Sequence, residues 1–191
     1  MLRRWWPVLL LLLAAVGSAL LLRSVELGQP GSATARSHDP DYYMDNFTRT
    51  QMDRFGKPKN RLSAERMVHY PNDDSSELVH PVLQIYNSDG PPWNISADSA
   101  WVGQNNQVVL LHGDTFIWRN DAQGKLAVQI VTSNVRVLLD SRYADTDDYV
   151  AITDVPSVSL MTGVGMRADL GQDRLELLSH VRGWYENKPN R

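Results

Sequence analysis

The side chains best suited to catalysis are scattered along this sequence and form no recognisable catalytic motif. No serine lies in the Gly-x-Ser-x-Gly turn that exposes a hydrolase nucleophile. Cysteine is absent, which excludes thiolate zinc sites, cysteine nucleophiles and disulfides. No histidine has a partner at the His-x-His or His-x₃-His spacing that binds zinc on a strand or a helix. The five histidines are His38, His69, His80, His112 and His180. We therefore expect surface or turn histidines, with no metal ion.

Two further motifs resemble ligand sites but lack the surroundings that such sites need. The aspartates of Asp145–Asp148, with Asp154, suggest calcium, but Val150 stands where an EF-hand loop needs glycine. We predict a solvated acidic turn there. Gly163–Ala168 fits the dinucleotide fingerprint, but no βαβ unit surrounds it. We predict a turn between strands, no cofactor, and a protein that binds or transports and is not an enzyme.

The charge of the chain argues against nucleic acid as a partner. Three of the 19 basic residues lie in the first 23 positions, so the rest of the chain carries 16 basic and 22 acidic side chains. Nucleic-acid binding requires clustered Lys and Arg. A negative domain is also repelled by anionic membrane surfaces. We therefore expect neither nucleic acid nor peripheral membrane binding.

The N-terminus has the character of a membrane anchor. Trp5–Leu22 is 18 residues long without a charge, and as a helix it would extend about 27 Å, close to the ~30 Å hydrocarbon core. We predict a transmembrane helix at residues 5–23. Arg3 and Arg4 place residues 1–4 in the cytoplasm. The alternative, a cleaved signal peptide, is less favoured because the apolar run is longer than usual and continues beyond Val16–Ser18.

The remainder has the pattern of an all-β protein. Residues 24–40 are rich in Gly, Pro and Ser and are predicted to be a linker. Residues 41–186 contain short alternating runs separated by turn signals, which is typical of a sandwich or roll, and residues 187–191 form a tail. The runs are Leu62–Tyr70, Leu78–Tyr86, Trp93–Val102, Gln107–Arg119, Lys125–Leu139, Tyr149–Leu160 and Arg174–Tyr185. A weak internal repeat links Ala97-Asp98 with Ala168-Asp169, and repeated strand pairs leave an unpaired edge at each end.

Several segments, taken in chain order, match one family. They are Asp39–Phe47, Leu62–Ala64, His80–Leu83, Trp93 with Ala97-Asp98, Leu111–Gly113, Gly165–Asp169 and Leu175–Gly183. Together with the basic N-terminus and the single span, they resemble the LptC family of lipopolysaccharide export proteins over nearly the whole chain. One difference concerns His180, where some relatives carry a lysine.

The resemblance implies a twisted, open β-jellyroll of the OstA/LptA-like kind, held in the periplasm by the inner-membrane anchor. It implies that the roll receives lipopolysaccharide from the LptB/LptF/LptG ABC transporter and passes it to LptA. The helix and the N-terminal edge would contact the transporter. The C-terminal strand would contact LptA. The alternative function is an anchored periplasmic scaffold that binds proteins only.

The jellyroll interpretation assigns two sets of residues. The predicted lipid-binding residues are Phe47, Leu83, Ile85, Tyr86, Trp93, Ile95, Trp101, Leu110, Phe116, Ile117, Val135, Val137, Ile152, Leu175 and Leu177. The predicted partner edge consists of Leu175, Leu177, Ser179, His180, Val181, Arg182, Gly183 and Tyr185. The alternative for the first set is that many of its members fill a closed core.

Overall fold

The computed structural model describes residues 12–20, 39–87, 90–103, 105–157 and 159–185. Residues 12–20 form a helix. Within the described ranges, no helix is both long enough and apolar enough to cross a membrane. The rest of the predicted span at 5–23, the predicted cytoplasmic residues 1–4, most of the linker 24–40 and the tail 187–191 lie outside the described residues.

Residues 42–185 contain eleven strands of one antiparallel sheet. The strands are β1 Tyr42–Met52, β2 Pro58–Tyr70, β3 Ser75–Val79, β4 Val82–Ile85, β5 Trp93–Gly103, β6 Val108–Asn120, β7 Leu126–Ser133, β8 Arg136–Leu138, β9 Tyr143–Asp154, β10 Ser159–Asp169 and β11 Arg174–Tyr185. Their order is β1-β2-β3-β5-β6-β7-β9-β10-β11, with β4 between β2 and β5 and β8 between β6 and β9. The predicted all-β class is therefore confirmed, and β1 and β11 are the edges.

Nearly every strand bends where it crosses one line through the sheet. At this fold line the backbone has positive φ angles between +46° and +79°. The residues with these angles are Asn46, His80, Gly113, Asn134, Gly165 and His180. The ladders break at the same places, with irregular register at Ala97/Ser99 and at Thr162/Val164. Because left-handed residues and bulges turn a strand sharply, the sheet folds over on itself along this line.

The fold line divides the sheet into two layers. The first layer contains residues 47–52, 58–63, 82–85, 93–97, 114–120, 126–133, 149–154, 159–164 and 181–185, and the second contains 42–45, 66–70, 75–79, 99–103, 108–112, 136–138, 143–146, 166–169 and 174–179. Opposite the fold line the layers are joined by side chains. Lys59 Nζ lies 2.5 Å from Asp140 Oδ1, and Asn87 Nδ2 donates to the Leu170 carbonyl over 2.7 Å.

The inner faces of both layers pack into a single core. Leu83, Ile95 and Ile117 from the first layer and Val109 and Val137 from the second are all fully buried members of it. Each of them alternates along its strand with a more exposed neighbour, as a half-buried strand requires. At about 25 cal/mol per Å² of apolar area removed from water, this shared core holds the two layers together.

Two predicted turns are wrong, because both segments lie inside strands. Gly163–Ala168 belongs to β10, where Gly165 adopts its φ of +76° at the fold line. The acidic segment Asp145–Asp148 belongs to β9, where it is used for structural contacts. Arg136 donates to the Asp145 carboxylate over 2.9 Å and 3.0 Å. Glycine and aspartate are typical of turns. Here they lie where a strand bends while its pairing with the neighbouring strands continues.

Asp148 shows what the acidic segment contributes at the fold line. Its Oδ2 accepts hydrogen bonds from Ser133 Oγ at 2.7 Å and Asn134 Nδ2 at 2.8 Å. These bonds, that of Ser133 first, hold the pKa of Asp148 below its usual value against the opposing effect of burial. The carboxylate thus links β9 to the end of β7, where the ladder is interrupted.

Candidate functional site

The structure places most of the predicted lipid-binding residues on the inside of the folded sheet. The buried ones are Leu83, Ile85, Trp93, Ile95, Ile117, Val135, Val137 and Ile152. Phe47, Leu175 and Leu177 are partly buried and pack against the same core. Tyr86 is half-buried, and its hydroxyl donates to Gln84 Oε1 over 3.2 Å. The sequence therefore identified an inner apolar face, most of which is filled by its own side chains.

Three of the predicted lipid-binding residues lie on the outer face instead. Phe116 is 42% exposed, while its neighbour Ile117 is fully buried. Leu110 is flanked by two buried residues, and so is Trp101, whose ring covers Gly103. Because successive side chains of a strand point to opposite faces, adjacent apolar residues cannot both enter the interior. Trp101, Leu110 and Phe116 therefore do not point into the interior to which they were assigned.

A cleft of about 320 Å³ remains between the two layers at the end opposite the fold line. Its apolar lining comes from strands β5, β7, β9, β10 and β11 and from Leu170 in the turn after β10, and its polar lining comes from both layers. The lining residues are Trp93, Arg119, Val128, Ile130, Ile152, Asp154, Met161, Ala168, Asp169, Leu170, Asp173, Arg174 and Leu175. This volume lies at the lower end of the range for small-molecule sites, and the apolar lining suits a hydrocarbon chain.

A side-chain cluster crosses the rim of this cleft. Trp93 Nε1 donates to Asp173 Oδ1 over 3.0 Å, and Arg119 Nη1 donates to the same oxygen. The Arg119 guanidinium also lies over the Trp93 ring, 4.7 Å from its centroid. The bond from Arg119 is the main cause that lowers the pKa of Asp173, against the effect of burial, and the Trp93 bond adds to it. The pairing of Arg119 with Asp173 could not be read from the sequence, because 54 positions separate the two residues.

The predicted partner edge is largely exposed. Leu175 and Leu177 turn inward, while Leu178, Val181, Trp184 and Tyr185 are large apolar side chains in contact with solvent. Within the described part of the chain, β11 pairs only with β10. Its outer backbone groups are therefore free to pair with a further strand.

His180 interrupts β11 and divides its free edge into two segments. Thr162 pairs with Arg182 and Val164 with Ser179, so β11 contains one residue more than β10 here. His180 has φ +51°, and Ser179 Oγ donates to the Val164 carbonyl over 3.1 Å beside it. The edge therefore continues the second layer up to Ser179 and the first layer beyond the bulge, over Arg182, Gly183 and Tyr185.

The start of the other edge strand is held by a histidine. His69 Nδ1 lies 2.7 Å from Asp41 Oδ1, and its Nε2 lies 3.2 Å from Asp74 Oδ1. Its ring stacks on Tyr42 with centroids 4.6 Å apart. The hydrogen bond to Asp41 is the main cause that raises the pKa of His69, with burial opposing it and Asp74 adding to it. The same bond lowers the pKa of Asp41.

This arrangement predicts that β1 is held more firmly at mildly acidic pH. The folded-state pKa of His69 lies above its ordinary 6.5, so the stabilisation is complete below 6.5 and is lost as the pH rises through the folded value. After correction for the intrinsic pH dependence of exchange, the β1 amides that bond to β2 beside Tyr43 should be better protected at about pH 5.5 than at about pH 8.5. His69→Gln should remove this difference, and an unchanged difference would contradict the assignment.

Metal ligation finds no support in the arrangement of side chains. Across residues 12–20 and 39–185, apart from the few undescribed positions, no three His, Cys, Asp or Glu side chains are placed to hold a metal ion. Asp173 at the cleft and Asp148 at the fold line are each engaged with neighbouring side chains. The geometry offers an apolar cleft and two strand edges.

Comparison with known proteins gives consistent matches. The family described as "Lipopolysaccharide-assembly, LptC-related" matches residues 7–186. The lipopolysaccharide export system protein LptC of Escherichia coli K12 is 25% identical over 185 residues, which cover 96% of this chain and 94% of that protein. The same values hold for LptC of Shigella flexneri.

A solved structure shares the fold. LptH of Pseudomonas aeruginosa, described as the LptA homologous periplasmic component of the lipopolysaccharide transport device, superimposes with a TM-score of 0.50. The match covers 68% of this chain and 95% of LptH, at 10% sequence identity. The folded sheet is thus of the LptA-like kind.

Proposed function

The chain belongs to the LptC family of lipopolysaccharide-assembly proteins, and we propose that it relays lipopolysaccharide between the layers of its folded sheet. In this proposal it receives the lipid from the LptB/LptF/LptG transporter and passes it to LptA. The apolar cleft of about 320 Å³ between the layers carries the proposal. Acyl chains cannot cross an aqueous compartment bare, because exposed apolar area costs about 25 cal/mol per Å².

We propose that residues 5–23 anchor the chain in the inner membrane, with residues 1–4 in the cytoplasm and residues 41–186 in the periplasm. The uncharged stretch Trp5–Leu22 and the basic pair Arg3-Arg4 support this topology. Residues 24–40 would then be the tether between the membrane and the roll. A fixed tether keeps the domain beside the transporter that supplies its lipid.

The two free edges of the sheet support an order of partners. We assign β11 to LptA, because its outer side presents unpaired backbone and exposed apolar side chains such as Val181 and Trp184. We assign β1, together with the anchor helix, to LptF and LptG, because β1 follows directly from the tether. An antiparallel sheet with one edge for each neighbour is suited to a chain of relays.

A second candidate function, an anchored scaffold that binds proteins only, is favoured by one observation. Eight of the predicted lipid-binding residues, Val135 and Val137 among them, are buried against other protein side chains. A scaffold needs such a closed core and the two edges, and it needs no lipid. The two functions therefore differ in whether lipid enters the interior.

Photo-crosslinking in cells separates the two functions. A photoreactive residue at Ile152, which lines the cleft and is 5% exposed, should capture lipopolysaccharide. Leu175, half-buried on the facing layer, provides a second position that is better able to accept a bulky group. Tyr149, on β9 but 59% exposed, is the control and should capture none. Absence of lipid at both inner positions would exclude the relay function and leave the scaffold.

A further inference from the structure

We propose that the turn between β10 and β11 is a latch that controls the entry of acyl chains into the cleft, with Asp173 as its fastening residue. The inference rests on the proposed function, since it concerns how lipid reaches the interior. Asp173 belongs to this turn, while its two donors, Trp93 and Arg119, belong to the facing layer. One carboxylate therefore spans the rim.

The two donors are held in position to bind this carboxylate. Trp93 and Arg119 are directly paired across β5 and β6, and the guanidinium lies 4.7 Å from the indole centroid. The indole N–H and the guanidinium both point at Asp173 Oδ1. A carboxylate that accepts one hydrogen bond from a charged guanidinium and another from a neutral N–H is held strongly. The binding of Asp173 is also reversible, because solvent reaches the rim of the cleft and water can replace the carboxylate at the two donors.

The backbone of the turn is fixed at both ends by the pairing of Asp169 with Arg174, so the part that can leave the donors is the Asp173 side chain. Leu170 stays attached to the second layer, because its N–H donates to the Arg142 carbonyl over 2.8 Å. The N–H groups of Gly171 and Gln172 are both capped by Asp169 Oδ1 at 3.0 Å. Asp173, with φ +54°, lies at the far end of this short segment. Its side chain reaches Trp93 and Arg119 across the rim, while the Leu170 carbonyl at the start of the turn accepts from Asn87 Nδ2 over 2.7 Å.

Hydrocarbon surface lies directly behind the latch. Ile130 and Ile152 from the first layer and Leu175 from the second line the cleft together with Trp93. When Asp173 leaves its donors, this apolar lining gains a wider opening toward solvent. The latch thus keeps the apolar surface covered while the cleft is empty, and a saturated acyl chain is the ligand class that this surface would take.

The test measures how fast a photoreactive fatty acid labels the cleft of the full-length chain in nanodiscs. Peptides that contain Ile130 and Ile152 report the labelling by mass spectrometry. Asp173→Ala should raise the initial labelling rate about tenfold, which corresponds to a barrier lowered by about 1.4 kcal/mol. Trp93→Phe, which keeps the aromatic ring and removes the N–H donor, should give a smaller increase.

A locked variant makes the same test in the opposite direction. Because the chain has no cysteine, the pair Arg119→Cys and Asp173→Cys can be bridged specifically by a short bis-methanethiosulfonate, which forms a disulfide with each thiolate, releases methanesulfinate and is cleaved by a reducing agent. Bridging should abolish labelling of the cleft, and cleavage of the bridge should restore it. The matched control is Asp145→Ala, which breaks the Arg136–Asp145 ion pair away from the cleft and should leave the labelling rate unchanged.

The possible outcomes distinguish the latch from the proposed function. Equal labelling rates for the parent chain, Asp173→Ala and Asp145→Ala would overturn the latch, as would fast labelling of the bridged protein. Either of these results, combined with capture of lipopolysaccharide at Ile152 in cells, would leave the relay intact. Absence of lipopolysaccharide capture at both Ile152 and Leu175, with latch-dependent labelling by the fatty acid, would instead remove the relay and keep a gated acyl-chain site.

Discussion

Deletion of His180 is expected to abolish the docking of LptA while lipopolysaccharide is still captured at the cleft. His180 is the extra residue of β11 opposite β10. Its removal would leave one residue on each strand between the pairs Val164–Ser179 and Thr162–Arg182, so the bulge and its bend at the fold line would be lost. A strand of LptA that fits the bent edge could then no longer pair with β11 on both sides of the fold line. A loss of about three ladder bonds at about 1 kcal/mol each weakens binding about a hundredfold or more.

A substitution at the same position provides the control. Glycine adopts a φ of +51° without the penalty that side chains incur there, so His180→Gly keeps the bend and should retain LptA. The measurement is co-purification of LptA with the full chain, beside crosslinking of lipopolysaccharide at Ile152 in the same cells. Retention of LptA by the deletion variant would refute the assignment of this edge. Loss of LptA from His180→Gly would show that the imidazole itself makes the contact.

Replacement of Gly113 by alanine is expected to destabilise the roll by about 3 kcal/mol. A left-handed conformation alone costs a non-glycine residue about 1–2 kcal/mol, and Gly113 has φ +79°. In addition, a Cβ there would lie 2.2 Å from Asp98 Oδ2. The Asp98 side chain would have to move away. It accepts a hydrogen bond from the Asp114 N–H over 3.1 Å, and the loss of this bond costs about 1 kcal/mol.

Gly124 offers a matched control, because its φ is +81° and a Cβ there meets nothing within 4 Å. Gly124→Ala should therefore cost only the conformational penalty of about 1–2 kcal/mol. Urea unfolding of the full chain, compared through the midpoints at equal m-values, measures both changes. Equal destabilisation by the two substitutions would mean that the contact with Asp98 is unimportant and that only backbone strain matters.

The elements that sequence reasoning predicted are those with a strong period of two. Along β5 and β6, buried residues such as Ile95 and Ile117 recur at the spacing of a half-buried strand, so the inner face could be predicted. The edge strand β1 could not, because its residues are mostly exposed and show little alternation. The errors at Phe116 and Leu110 arose where two apolar residues are adjacent, since sequence alone does not say which of them faces inward.

The bends were beyond prediction for a different reason. Asn46, His80 and His180 adopt left-handed conformations inside or between strands, and residues of these types occur equally in ordinary turns. Their alignment in one line depends on the register of the whole sheet. The cluster of Trp93, Arg119 and Asp173 likewise depends on the folding of one layer over the other. The candidate site was therefore predicted as a face, and its rim emerged only from the tertiary structure.

The strand order also determines how the roll can assemble. Each pair of neighbours in the sheet is either consecutive in the chain or separated by a single strand. Closing such short loops costs little entropy, so the sheet can grow by one hairpin at a time. Folding can therefore begin with the pairing of β1 and β2 while the later strands are still unfolded. The edge strand β11 would then join the sheet after the others, by pairing with β10.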